Sequence, residues 1–182
     1  MSKSQTTLKI MVVSALVIIT ARPNLPAYAF TTTGDMNVSA DINASCIMSS
    51  TDLDFGDYDA TGINATEDLE ATATITTTCS SGTTAYVIMD NGLHSTREQR
   101  YAGRSIRFTD YRHMSNAGSD SKLQYELYTN ENHSIVWHVT LRQDIVGSGA
   151  SEDLPIYAKV FKNQLDAAAG SYTDTINITL NY

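Results

Sequence analysis

The chain has 182 residues and a formal net charge of −8 at pH 7. It carries 12 Lys and Arg residues against 20 Asp and Glu, and this acidic balance argues against nucleic acid or an anionic membrane as a partner. Its length and its 42% content of hydrophobic residues suit one domain with a core of its own.

The first 29 residues have the pattern of a cleaved signal peptide. Lys3 and Lys9 make the start positive, residues 10–21 are apolar, and residues 27–29 (Ala-Tyr-Ala) fit a small-x-small cleavage site. The alternative is an N-terminal membrane anchor, although 12 apolar residues are short for a bilayer. Cleavage after residue 29 predicts an exported mature chain of 153 residues, with nine basic and 20 acidic side chains.

The mature chain opens with a strand pattern. Apolar and polar residues alternate strictly from Met36 to Cys46, which is typical of a β-strand with one buried face. Phe30, Met36, Val38 and Ala40 fall on the apolar face. A strand at this place can pair with its own domain or with another molecule, and that choice decides the function.

The two cysteines, Cys46 and Cys79, most simply form one disulfide, because the chain is exported and the count is even. The bond would close a loop of about 33 residues and stabilise the fold by roughly 3–4 kcal/mol. The alternative is a pair of thiolate metal ligands, but the paired spacing of zinc sites is missing.

Most of the remaining chain consists of short apolar or alternating runs separated by turn residues. This pattern predicts an all-β sandwich or barrel without a second domain. Helical signals are weak: residues 163–169 could form one turn before Gly170. Pro155 predicts that its strand begins near a sheet edge. Strands are predicted at residues 69–79, 85–89, 106–108, 123–127, 135–141, 154–160 and 176–182.

The sequence offers no constellation typical of catalysis. The acidic run 52–59 resembles a calcium loop, but it lacks the Gly and Glu that an EF-type loop requires at its sixth and twelfth positions. A solvated acidic turn is the favoured interpretation. The histidines are scattered and no Ser lies in a nucleophile elbow. We therefore expect no enzymatic activity, no cofactor and no metal.

Several short motifs in a fixed order give the chain a family resemblance. They are Leu53-Asp54-Phe55-Gly56-Asp57-Tyr58, the Thr-rich strand that ends at Cys79, Leu123-Gln124-Tyr125-Glu126-Leu127-Tyr128, Gly170-Ser171-Tyr172-Thr173-Asp174 and an alternating C-terminal strand. With them the chain resembles the spore coat protein U family, which includes pilin subunits of archaic chaperone–usher pili.

The resemblance implies an incomplete immunoglobulin-like β-sandwich that is completed by donor-strand exchange. It implies that residues 30–41 are the donor strand and residues 42–182 the pilin-type domain. Residues at the groove edge, which would also contact the chaperone, are then Ile176, Ile178, Leu180 and Tyr182.

The partners implied are a periplasmic chaperone, an outer-membrane usher and other copies of the chain or related pilins. A periplasmic chaperone would lend a strand to the groove, and at the usher the N-terminal strand of the next subunit would replace it. The function implied is a structural pilus subunit at the cell surface, supporting attachment and biofilm formation. Two alternatives remain open: a self-contained secreted coat protein or adhesin module, and an N-terminal strand that simply folds onto its own sandwich.

Overall fold

The computed structural model describes residues 28–182, so most of the predicted signal peptide lies outside the described residues. Within them, the compact unit is Asp41–Tyr182. No helix in the described part of the chain is both long and apolar enough to cross a membrane.

Ten strands and one short 3-10 turn form the compact unit. The turn is Ile63–Ala65. The strands are β1 Cys46–Ser50, β2 Leu69–Cys79, β3 Thr84–Met89, β4 Thr96–Ala102, β5 Ser105–Asn116, β6 Lys122–Tyr128, β7 Gln143–Val146, β8 Ser151–Val160, β9 Tyr172–Thr173 and β10 Ile178–Asn181.

Two sheets enclose the core, which confirms the prediction of an all-β sandwich. The larger sheet has the order β1-β2-β8-β6-β5-β4, with β9 beside β5, and the smaller has the order β10-β3-β7. Alternating side chains of β2, β3 and β8, such as Ile75, Val87 and Ala158, are fully buried between the sheets. Trp137, from the connection after β6, is also fully buried.

Four predicted strands are found close to their expected bounds, namely β2, β3, β6 and β8. Each has either strict alternation or a short apolar run, and these are the patterns that burial between two sheets requires. Pro155 lies opposite Thr74 of β2. On its other side β8 meets β6 only at residues 157–160, so the proline lies where that side has no strand partner among the described residues.

The prediction of a strand over residues 135–141 is wrong. Only one isolated bridge forms there, between Tyr128 and Val136. The Trp137 side chain instead anchors a turn, because its indole N–H donates to the Leu141 carbonyl at 3.1 Å. The alternation came from a loop that follows the core surface, and the strand β7 begins only at Gln143.

Two further expectations need correction. The short strand expected at residues 106–108 is part of the 12-residue β5, and its partner β4 was not predicted because its residues are polar and solvent-exposed. Residues 163–169 form a turn, as the sequence allowed, in which the Ala167 N–H donates to the Gln164 carbonyl at 3.2 Å. The strand predicted from residue 36 begins only at Cys46, and residues 28–45 form no strand in the single chain, since strand structure depends on a neighbouring strand.

Candidate functional site: an open groove between the first and last strands

A cleft on one side of the sandwich reaches down to the apolar core. A cavity of about 540 Å³ lies between residues 50–55 and residues 172–178. A second cavity of about 570 Å³ shares Leu53, Phe55 and Met114 with the first. We call these joined cavities the groove. Core side chains form its floor, among them Ala73, Met89, Met114, Tyr125, Leu127 and Ile156.

One wall of the groove begins with β1, which is bonded to β2 and has its other edge free among the described residues. The Ser80 N–H donates to the Ser45 carbonyl at 2.8 Å, and the Thr51 N–H donates to the Thr74 carbonyl at 3.0 Å. Odd-numbered residues of β1 therefore bond to β2. In an antiparallel pair the intervening residues point their main-chain groups the other way, so those of Met48 and Ser50 lie on the free edge.

A disulfide between Cys46 and Cys79 fixes this wall. The two residues lie directly opposite each other in the β1–β2 register, with their Cα atoms 4.1 Å apart. Because the odd-numbered residues of β1 form the hydrogen bonds to β2, Cys46 and Cys79 form a non-hydrogen-bonded pair, in which side chains approach most closely. The predicted disulfide is thus present, and it ties the edge strand to the sheet.

The same wall continues through the first family motif. Leu53, Phe55 and Tyr58 are partly buried against the core, and the Phe55 ring meets Tyr125 edge-on at 6.1 Å. The Tyr58 hydroxyl donates to the Phe161 carbonyl at 2.9 Å. These three side chains of the motif thus hold the chain against the sandwich.

The acidic side chains of this motif are exposed and shape its turn. The Asp54 carboxylate accepts the Gly56 N–H at 2.8 Å, and Gly56 adopts a positive φ of 70° that favours glycine. The described residues contain no cluster of three metal-ligating side chains. Around Gly56 the run therefore bends the chain and leaves the Asp54 and Asp57 side chains in solvent.

The opposite wall is the segment that leads into β10. The Asp90 N–H donates to the Asn177 carbonyl at 3.1 Å, so odd-numbered residues of this segment bond to β3. The main-chain groups of Ile178 and Leu180 consequently lie on the edge of β10 that has no partner strand among residues 28–182. The Asp90 carboxylate also accepts the Asn177 N–H at 3.0 Å and its side-chain amide at 2.6 Å, which fixes the segment in place.

Asp174, the last residue of the Gly-x-Tyr-x-Asp motif, is a buried anchor for this wall. Its carboxylate accepts the Tyr125 hydroxyl at 2.7 Å and the His94 N–H at 3.1 Å. Burial raises the pKa of Tyr125, and the hydrogen bond to Asp174 adds to the shift, so the phenol remains a donor. The motif therefore connects the C-terminal segment to β6 and to the β3–β4 connection.

Arg112 braces the same region from within the core. Its guanidinium is almost fully buried, pairs with Glu126, and donates to the main-chain carbonyls of Asp90 at 2.6 Å and Trp137 at 2.7 Å. Sequence reasoning missed Arg112, Asp90 and Asp174 as organising residues. Asp174 belongs to the Gly-x-Tyr-x-Asp motif, but the motif does not show what its carboxylate bonds, and a single charged residue such as Arg112 is equally typical of a solvent-facing position.

The residues predicted for the groove edge are placed at different points. Ile176 and Ile178 line the groove, and Leu180 packs partly buried against the core. Tyr182 is 64% exposed and lines a separate shallow cavity beside Tyr86.

The residues predicted for the donor strand are exposed in the single chain. Met36 and Val38 are each 84% exposed, and Phe30 and Ala40 are exposed as well.

The family match covers most of the chain. The Spore Coat Protein U domain matches residues 32–179. This chain belongs to that family. Over 181 residues it is 28% identical to Protein U of Myxococcus xanthus, a match that covers 93% of this chain and 97% of the relative.

Among solved structures, the fold matches a chain in the CsuC–CsuE chaperone–tip adhesion subunit pre-assembly complex of the archaic chaperone-usher Csu pili of Acinetobacter baumannii. The TM-score is 0.50 at 19% identity, with 78% of this chain covered. The match spans 40% of the length of the solved chain. The match confirms the predicted fold.

Proposed function

We propose that this family member is a structural pilus subunit whose groove accepts a strand from a neighbouring molecule and whose residues 30–41 act as the donor strand for the next subunit. The observation that carries the proposal is the groove, floored by apolar core residues, between two strands, β1 and β10, that each have one edge without a strand partner among the described residues.

The two free edges make the groove suitable for strand addition. Main-chain groups of Met48 and Ser50 on one side, and of Ile178 and Leu180 on the other, are available to an extended chain placed between them. An added strand would gain main-chain hydrogen bonds from the edges and specificity from alternate side chains. Left empty, such paired edges over an apolar floor are an aggregation hazard.

The N-terminal segment has the complementary pattern. Met36, Val38 and Ala40 are spaced by two residues, so in an extended chain they share one face while Asn37 and Ser39 share the other. Their exposure in the single chain leaves apolar surface to be covered elsewhere. Burial of a Met or Val side chain stabilises a complex by roughly 1.5–3 kcal/mol.

An open groove also accounts for the proposed partners. Before assembly, a periplasmic chaperone would cover the groove with a strand of its own, and an outer-membrane usher would exchange that strand for the donor segment of another subunit. The fold match to a chain from a chaperone–subunit complex supports this order. We propose that the assembled chain reaches the cell surface and supports attachment and biofilm formation.

A second candidate is a self-contained secreted coat protein or adhesin module. The match to the Spore Coat Protein U domain and the similarity to Protein U over 97% of that relative's length favour this candidate. In this case residues 30–41 would fill the groove of their own chain. Such a protein would be exported as a monomer with no strand exchange.

The test places a charge on the face of the proposed donor. In Val38→Asp and Met36→Asp, a carboxylate would enter a groove that cannot solvate it, so we expect pilus assembly to be lost. Asn37→Asp is the matched control, since the same charge on the opposite face should be tolerated. Surface pili are counted by electron microscopy, and chaperone-bound subunit in the periplasm is measured in parallel.

The two candidates differ in what happens to the subunit. If strand donation is correct, Val38→Asp leaves the amount of chaperone-bound subunit unchanged, because the donor is not part of its own core. If the variant instead unfolds the isolated subunit and no chaperone complex is recovered, Val38 belongs to its own sandwich and the donor assignment is wrong.

A further inference from the structure

The hairpin formed by β4 and β5 concentrates positive charge in an acidic chain. Residues 96–111, which we call the arginine hairpin, contain four Arg and two acidic residues, while the whole chain has a net charge of −8. Almost all of its side chains are solvent-exposed. The hairpin is thus a positively charged projection on a negatively charged protein.

Cross-strand pairing within the hairpin places like charges together. In the β4–β5 register Arg100 lies directly opposite Arg107, so the two side chains share one face. Like charges in this position destabilise a hairpin. Arg100 also lies 3.2 Å from Glu98, but neither Arg107 nor Arg104 at the turn forms an ion pair within residues 28–182. A like-charge pair that destabilises its own hairpin is expected where the surface binds a partner.

The opposite charge is found in a different part of the same chain. Residues 51–70, which we call the acidic segment, contain seven Asp and Glu residues and no Lys or Arg. Asp68 is engaged by Lys159 at 2.9 Å. Asp52, Asp54, Asp57 and Asp59 are exposed and form no ion pair among the described residues.

We propose that the Arg100–Arg107 face of the arginine hairpin docks on the acidic segment of a second copy of this chain. A second copy of the chain is the partner because every copy carries both the positive hairpin and the complementary acidic segment. The contact joins two different patches, so it is head-to-tail and compatible with an open polymer. It goes beyond strand donation, since it uses the exposed acidic side chains on the outside of the groove wall, and neither the groove floor nor residues 30–41.

The test measures self-association by sedimentation equilibrium in the chaperone-bound chain carrying Val38→Asp, so that neither strand donation nor an empty groove contributes. We expect association to weaken about tenfold between low and high NaCl, because salt screens exposed charges. Arg107→Glu should weaken it at low salt, also by about tenfold. Arg142→Glu, which makes the same charge change on another exposed arginine, should leave it unchanged.

Two further measurements separate docking from a structural role. Arg107→Glu places an acid opposite Arg100, so the thermal midpoint should remain equal or rise while association falls. Mixing Arg107→Glu with a chain carrying Asp52→Lys and Asp57→Lys should restore association, because the reversed charges again attract. Loss of both stability and association in Arg107→Glu would overturn the proposal.

Other outcomes would also overturn it. If association is insensitive to Arg107→Glu, the hairpin charges serve only to keep an edge strand soluble. If the hairpin binds heparin as a polyanion probe while the chain does not self-associate, the surface is a carbohydrate site. Failure of strand donation would show itself separately, as pili still forming in Val38→Asp cells.

Discussion

Removal of the Cys46–Cys79 bond tests how the groove wall is held. The bond closes a loop with a sequence separation of 33, for which the chain-entropy relation gives about 3.7 kcal/mol at 25 °C. Loss of the largely buried Cys79 sulfur adds up to about 1 kcal/mol for the small cavity. We therefore expect Cys46→Ala/Cys79→Ala to lower the free energy of unfolding by about 4 kcal/mol, a large share of the 5–15 kcal/mol typical of a domain.

Urea unfolding of the purified mature chain measures this difference. With a slope of about 2 kcal/mol per M, the midpoint should fall by about 2 M. Wild-type protein treated with a reductant is the control and should shift by a similar amount, whereas the double variant should not respond to the reductant. Amide exchange at Thr51 and Ser80, which bond across β1 and β2, should accelerate in both.

A loss below about 1 kcal/mol in the double variant would refute this reasoning. It would mean that β1 remains in register through its hydrogen bonds alone, or that the unfolded chain is already compact around the two cysteines. Equal amide protection at Thr51 with and without the bond would point to the first of these explanations.

Two other perturbations probe the interior. Arg112→Met should lower the free energy of unfolding, measured in urea, by about 3–5 kcal/mol, because it leaves the buried Glu126 carboxylate without its cation. The control Arg142→Met removes an exposed ion pair and should lower it by less than about 1 kcal/mol. Equal losses in the two variants would contradict the role of burial. Burial lowers the pKa of His113, so the unfolded chain binds a proton more readily than the folded chain. The stability of the fold should therefore decrease as the pH drops below about 6.5. In thermal melts from pH 7 to pH 5, His113→Gln should reduce this decrease, and an unchanged pH profile would show that His113 does not cause it.

The sequence predicted those elements whose patterns are set by burial on two faces. The strand from Leu69 to Cys79 was predicted with its observed bounds, since the alternation persists along its whole length. The loop around Trp137 misled the same reasoning, because side chains along a core-facing loop can alternate without a neighbouring strand to bond. The β4 strand was missed for the opposite reason, since both of its faces meet solvent and leave no periodic signal.

For the candidate site, the sequence alone determined the family, the all-β class, the disulfide partners and an alternating apolar segment from residue 36. Only the tertiary structure decided which core residues lie open, which strand edges are free, and that Asp174 and Arg112 fix the wall opposite β1. The physical reason is that periodicity records which face of a strand is apolar. Whether that face is covered, and by which neighbour, depends on how distant strands are paired.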